Sequence, residues 1–152
     1  MSSTVALKGE AREVALAEAQ TVLSMAQNDD MRARLAELVS DVDDGEVGEG
    51  STELLESVLE LGLQTGRVRA YYGPGGEQAA VSTLRRLPKG RERSESATEV
   101  SKALQALNGH PIDAVKIAAV APGAFTLTIE AGGVEASVRL DTHGARLTSL
   151  AT

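Results

Sequence analysis

Residues 125–141 read Phe125-Thr-Leu-Thr-Ile-Glu-Ala-Gly-Gly-Val-Glu-Ala-Ser-Val-Arg-Leu-Asp141, and this stretch decides the fold class. Apolar and polar side chains alternate on both sides of Gly132-Gly133, which is a two-residue hairpin signal. Alternation of this kind sends successive side chains to opposite faces of an antiparallel sheet. The stretch therefore predicts two neighbouring strands joined by a tight turn.

Two more strands are predicted on either side of this hairpin. Val115–Val120 precedes it and ends at Ala121-Pro-Gly123, whereas Ala145–Leu150 follows the turn at Thr142-His-Gly144. Four short strands with tight turns predict an antiparallel meander that is apolar on one face. Helices must cover that face in a stable domain.

The first 66 residues predict three amphipathic helices. Apolar residues recur at helical spacing over residues 4–28, 31–42 and 53–65. The intervening acidic stretch at residues 41–50, which contains three glycines, is predicted to be a solvated linker. The helices at 4–28 and 53–65 are expected to carry more apolar surface than one face of a small sheet can bury, which favours a dimer or a higher oligomer.

The middle of the chain predicts a short strand near residues 67–72 and two further helices. Arg67-Val-Arg-Ala-Tyr-Tyr72 alternates and contains β-forming residues. Pro74 or a nearby residue opens a helix, and Pro88-Lys-Gly90 ends it. Ser96-Ala-Thr-Glu99 is a capping box that would begin the next helix.

The predicted fold is therefore α+β, with N-terminal amphipathic helices packed with a C-terminal four-stranded antiparallel meander. We expect an acidic helical segment at 1–66 and an α+β segment at 67–152. With 152 residues, of which 42% are hydrophobic, the chain can form one compact domain or two small lobes.

Composition and charge exclude several classes of protein. The chain has no cysteine, so it has no disulfide framework and no thiolate zinc site. No run of about 20 apolar residues predicts a membrane span, and the first ten residues do not have the pattern of a secretory signal. The net charge of −7 is ordinary for a soluble domain, and a cytoplasmic location is expected.

The charges are segregated along the chain. Residues 1–66 carry four basic and fourteen acidic residues, whereas residues 67–102 carry eight basic and four acidic ones. The two blocks could attract each other within one chain or between subunits, although ordinary solvated helix faces explain them equally simply.

Two segments are candidates for binding. The densest basic cluster, a predicted loop over residues 85–93, could hold a polyanion or an acidic partner; it comprises Arg85, Arg86, Lys89, Arg91 and Arg93. No aromatic residues for base stacking are interleaved with it, so nucleic-acid binding is not favoured. A small-ligand site at a glycine-rich turn is the other candidate, although a structural turn explains the glycines as well; its residues would be Tyr71, Tyr72, Gly75, Gly76 and Glu77.

Candidate catalytic and metal-binding residues are few. His110 follows a helix-ending Asn-Gly, and His143 sits in a predicted hairpin turn. No nucleophile, histidine and carboxylate occur at a recognised spacing. The acidic stretch from Asp41 resembles a calcium loop, but its glycine falls one position early. We predict no catalytic residue, no metal site and no cofactor.

The sequence thus favours a binding or assembly protein without enzymatic activity. It would associate with itself or with another protein and would not contact a membrane. Two alternatives stay open, namely a polyanion-binding module that uses residues 85–93 and a small-ligand or enzymatic site near residues 71–77.

Overall fold

Residues 4–152 are described by the structure, a computed structural model, and they form an α+β fold, as predicted. The order of elements is β1 (Val5–Ala6), α1 (Gly9–Met25), α2 (Asp29–Asp44), β2 (Glu46–Val47), α3 (Thr52–Gln64), α4 (Arg67–Arg86), α5 (Pro88–Leu104), β3 (Ile112–Ala121), β4 (Ala124–Ala131), β5 (Val134–Asp141) and β6 (Gly144–Ala151). The chain divides into two compact units, Met1–Arg91 and Glu92–Thr152, and the division falls within α5.

The first unit buries an apolar core of its own. Leucine and valine side chains from its four helices and from the residues beside them make up most of this core, among them Leu7, Val14, Leu35, Leu38, Leu55, Leu59, Val68 and Leu87. Each such side chain contributes about 1.5–3 kcal/mol when it is fully removed from water. The predicted helices at 4–28 and 53–65 contribute Val14, Leu55 and Leu59 to this core, so part of their apolar surface is buried within their own unit.

The N-terminal helices lie near their predicted places, with two changes at the ends. Asn28 caps α2, and its side-chain oxygen accepts a hydrogen bond from the Met31 backbone N–H at 3.1 Å. However, α1 begins at Gly9 rather than near residue 4, because β1 pairs with β2. Val47 is fully buried, so the acidic stretch is anchored there and is not the predicted solvated linker.

The strand predicted at residues 67–72 is wrong, because α4 begins at Arg67. Val68 and Tyr72 lie four residues apart and therefore share one face of that helix, where Val68 is fully buried and Tyr72 is half-buried. This tertiary burial outweighs the strand preference of the segment. Gly73 breaks the helix with φ of 71°, and Pro74 starts its second half, as predicted.

The basic cluster is a junction between two helices rather than a loop. As predicted, the preceding helix ends just before Pro88, at Arg86. However, Pro88 also begins α5, because proline fits the first turn of a helix. Ser96 consequently lies inside α5 and does not cap it. The chain turns sharply at Leu87, and a Cβ atom added at Gly90 would overlap the backbone carbonyl of Leu84.

The second unit contains the predicted meander. Its four strands lie in the order β3-β4-β5-β6, and every neighbouring pair is antiparallel. The turns at Pro122-Gly123, Gly132-Gly133 and Thr142-His143 are each two residues long. None of the helices in residues 4–152 has both the length and the hydropathy that a membrane crossing requires.

Candidate functional site

Strand β3 carries the largest concentration of exposed apolar side chains in the second unit. All ten of its residues are exposed, and β3 is an edge strand, because its only neighbour among the described strands is β4. We define the apolar edge as the four large apolar residues of β3 and the neighbouring phenylalanine of β4, with exposed fractions from 42% to 65%; they are Ile112, Val115, Ile117, Val120 and Phe125.

The register of the sheet separates an apolar face from a polar face. Val115 pairs with Ile129 and Ile117 pairs with Leu127, so these four side chains share one face. The apolar face continues across β5 through Ala136 and Val138, which are both buried.

The opposite face is polar. Lys116 pairs with Thr128, and Thr128 pairs with Ser137. The hydroxyl oxygens of Thr128 and Ser137 lie 3.3 Å apart, within hydrogen-bond distance. The side chains of Val115 and Ile117 therefore lie on one side of the sheet, and Lys116 lies on the other.

The second edge of the sheet, β6, differs from β3 because helix α5 lies beside it. The Ser96 hydroxyl in α5 donates a hydrogen bond to the backbone carbonyl of Ala145. Ser96 and Val100 also line a small cavity together with Arg146 and Leu147. Part of the β6 edge is thus already occupied by α5, whereas β3 is exposed along its full length.

A cavity of about 280 Å³ that is lined mostly by polar residues lies where α5 meets the turn between β5 and β6. Its lining residues are Glu92, Ser96, Asp141, His143, Gly144 and Arg146. The Asp141 carboxylate accepts hydrogen bonds from the His143 backbone N–H at 2.8 Å and from Arg139 Nε at 3.2 Å. Both bonds lower the pKa of Asp141 below its ordinary value, and the bond from the His143 backbone has the larger effect.

This cavity contains serine, histidine and aspartate but not the geometry of a catalytic triad. In a triad the aspartate binds the histidine ring, and the ring binds the serine hydroxyl. Here Asp141 accepts a hydrogen bond from the His143 backbone N–H and not from the ring. The Ser96 hydroxyl donates its hydrogen bond to the backbone carbonyl of Ala145. The arrangement stabilises the turn and the helix, and it does not activate a nucleophile.

The residues predicted to form a small-ligand site have different surroundings in the structure, and small-ligand binding by them stays a prediction. Tyr71 is 70% exposed, whereas Gly76 is buried against Tyr72. Gly75 lies beside the carboxylate of Glu10. Glu77 approaches Arg69 at 3.9 Å, the distance of a weak exposed ion pair.

Tyr72 instead belongs to a buried polar cluster centred on Glu18. Arg67 Nε donates to Glu18 Oε1 at 3.0 Å, and the Tyr72 hydroxyl lies 3.3 Å from the same oxygen. The hydrogen bond to Glu18 raises the pKa of Arg67. Burial, followed by the charge of Glu18, raises the pKa of Tyr72. This cluster links the acidic and basic blocks of the sequence within the first unit.

The predicted basic cluster is divided between several local roles. Arg86 donates to the backbone carbonyl of Ala6 at 2.8 Å, and the Lys89 backbone N–H donates to the buried carboxylate of Glu56 at 3.0 Å. The side chains of Arg85, Lys89 and Arg91 are exposed, whereas Arg93 is half-buried. Polyanion binding by these residues stays a prediction.

The aspartates of the calcium-like stretch have other partners. Asp43 forms an ion pair with Arg12 at 3.0 Å, and an Asp41 carboxylate oxygen accepts a hydrogen bond from the Gly48 N–H at 3.3 Å. Within residues 4–152 no group of three or more histidine or acidic residues is arranged to hold a metal ion.

The sequence reasoning did not identify the apolar edge, although a signal was present. The first strand of a meander is an edge strand by its position, and Ile112–Ala121 contains only two charged residues. A long apolar edge strand with few charges is a recognised site of strand pairing between chains.

A scan against protein-family models, a search of curated proteins and a search of solved structures each returned no match to this chain.

Proposed function

We propose that this chain is a binding or assembly protein that associates with a second copy of itself through the apolar edge, and that it does not act as an enzyme. One observation carries the proposal, namely the exposure of all ten residues of β3. Eight of the twelve large apolar side chains that are exposed in residues 4–152 lie on the strands of the second unit. Contiguous apolar exposure of this kind marks interaction sites in soluble proteins.

The local neutrality of the apolar edge suits a second copy as the occupant. The whole chain carries a net charge of −7, which opposes self-association at most surfaces. The apolar edge avoids this repulsion, because the only charged residues of β3 are Asp113 and Lys116, whose charges cancel. A strongly acidic or strongly basic partner would meet no surface of opposite net charge at this edge.

We also propose that the protein works in the cytoplasm. A chain without cysteine lacks the disulfides on which small secreted domains commonly depend.

Light scattering coupled to size-exclusion chromatography tests self-association of the full chain. At roughly tens of micromolar we expect twice the monomer mass of 15.8 kDa. Ile117→Lys should return the mass to that of a monomer, because it places a charge on an apolar contact. Leu61→Lys is the matched control, because Leu61 is also about half exposed but lies on α3 in the other unit. A wild-type monomer would contradict the proposal, as would an equal effect of the two substitutions.

A further inference from the structure

We infer that β3 pairs antiparallel with β3 of a second copy, so that two four-stranded sheets join into one sheet of eight strands. This inference rests on the proposed self-association and specifies its geometry. An edge strand has backbone N–H and C=O groups that lack a partner strand on one side, and a second copy of the strand satisfies them.

Two irregularities limit the part of β3 that can pair. The register with β4 shifts between Ile112 and Ala114 and again between Ala119 and Ala121. Such bulges kink a strand and interrupt its hydrogen-bond ladder. The regular stretch from Ala114 to Ala119 is therefore the segment available to a second copy, and its short length favours a closed dimer over open-ended aggregation.

Symmetry then restricts the register. In an antiparallel pair of identical strands the two-fold axis is perpendicular to the sheet, and opposite residues share one face. With Ile117 on the axis, Ile117 faces its own copy, Val115 faces Ala119 of the second copy, and Lys116 faces Ala118. All of these contacts are apolar or place a single charge beside an alanine.

The neighbouring registers are less favourable. An axis at Lys116 puts two lysines directly opposite each other, which is destabilising. An axis at Val115 places Asp113 opposite Ile117 and includes the first irregularity, and an axis at Ala118 places Lys116 opposite Val120 at the second. The register centred on Ile117 is the one that uses the regular stretch without like charges in opposition.

Because the chain has no cysteine, single introduced cysteines test this register directly. Opposite residues in an antiparallel pair have Cα atoms about 4.5–5.5 Å apart, which suits a disulfide. Under mild oxidation Ile117→Cys should therefore convert most of the protein into a covalent dimer. Val115→Cys should not, because its two copies would lie four residues apart along the strands, or about 13 Å. The double variant Val115→Cys/Ala119→Cys should cross-link again.

The outcomes separate this inference from the proposed function. A wild-type monomer contradicts both. A dimer in which neither Ile117→Cys nor the double variant cross-links contradicts strand pairing alone; sheets that stack face to face lie about 10 Å apart, which is too far for a direct disulfide. If Ile117→Cys disrupts the dimer under reducing conditions, cross-linking of the double variant Val115→Cys/Ala119→Cys tests the register in its place. Circular dichroism of each reduced variant checks the fold, which should persist because Ile117 is 62% exposed.

Discussion

Glu18 and Arg67 are 49 residues apart in the sequence, and their side chains meet at 3.0 Å. Glu18 is almost fully buried in α1, whereas Arg67 is partly exposed at the start of α4. Gly62 of α3 leaves room for the carboxylate, because a Cβ atom there would lie 2.9 Å from Glu18 Oε2. The pair thus joins two helices at a point where a third helix allows close approach.

Arg67→Met should destabilise the protein, because it leaves the buried Glu18 carboxylate without its cation. The expected loss of unfolding free energy lies between that of breaking an exposed pair and that of breaking a fully buried one. Arg69→Met is the control, since Arg69 forms only a distant exposed pair. Denaturant unfolding measures both variants. The double variant Glu18→Leu/Arg67→Met should recover part of the loss; no recovery would mean that the arginine stabilises the fold through packing rather than charge.

Tyr72 should ionise above the ordinary tyrosine pKa of about 10. Its raised pKa means that the folded state favours the neutral phenol, so this contribution to stability is present below about pH 10 and is lost as the pH rises further. Tyr71→Phe leaves Tyr72 as the only tyrosine, and phenolate absorbance then reports its ionisation directly. Tyr72→Phe should make unfolding less sensitive to alkaline pH, and Tyr71→Phe is its control. An ordinary or lowered midpoint for Tyr72 would refute its burial beside Glu18.

Gly90→Ala should destabilise the junction between α4 and α5. Replacing glycine by alanine within a helix normally raises the free energy of unfolding by up to about 1 kcal/mol. Here the new Cβ would overlap the Leu84 carbonyl, so we expect a net loss of about 1–3 kcal/mol or more. Thermal melting should show a fall of about 2–4 °C per kcal/mol. Gly50→Ala is the control, because nothing lies within 4 Å of a Cβ added there. A stabilised Gly90→Ala protein would show that the chain does not turn so tightly at this point.

Asp141→Asn should make the melting temperature depend less on pH in the acid range. Because the folded state lowers the pKa of Asp141, its contribution is present above the ordinary carboxyl pKa of about 3.9 and is lost as the pH falls through the lower folded value. Asparagine keeps an oxygen for the His143 N–H but has no charge for Arg139. Melting temperatures of wild type and variant should therefore differ above pH 4 and converge in stronger acid. Glu135→Gln removes an exposed charge from the same strand, and an equal effect there would refute the specific role of Asp141.

The strands could be predicted more fully than the middle helices, for a physical reason. The hairpin at Gly132-Gly133 is specified by local alternation and by two residues that both adopt positive φ. The helix over residues 67–72, in contrast, depends on distant burial of Val68 against the other helices. Pro88 is ambiguous by nature, because the same residue can follow one helix or begin the next.

The candidate site was only partly accessible to sequence reasoning. Strand order alone makes β3 and β6 the two edges of the meander. Which edge stays open depends on where α5 lies, and the hydrogen bond between Ser96 and Ala145 that occupies β6 joins residues 49 positions apart. No local sequence pattern predicts such a bond, because the side chain of a serine inside a helix more often faces solvent or bonds to the backbone of its own helix.

The two-residue turns of the meander also bear on when each part of the chain becomes structured. Every strand pairs with its neighbour in sequence, so the sheet can grow by successive hairpins, each of which forms in about 1–10 μs. The helical unit has to close long loops first, such as the one between Ala6 and Arg86. The β3–β4 hairpin, which carries the apolar edge, can therefore form before the long-range contacts of the helical unit.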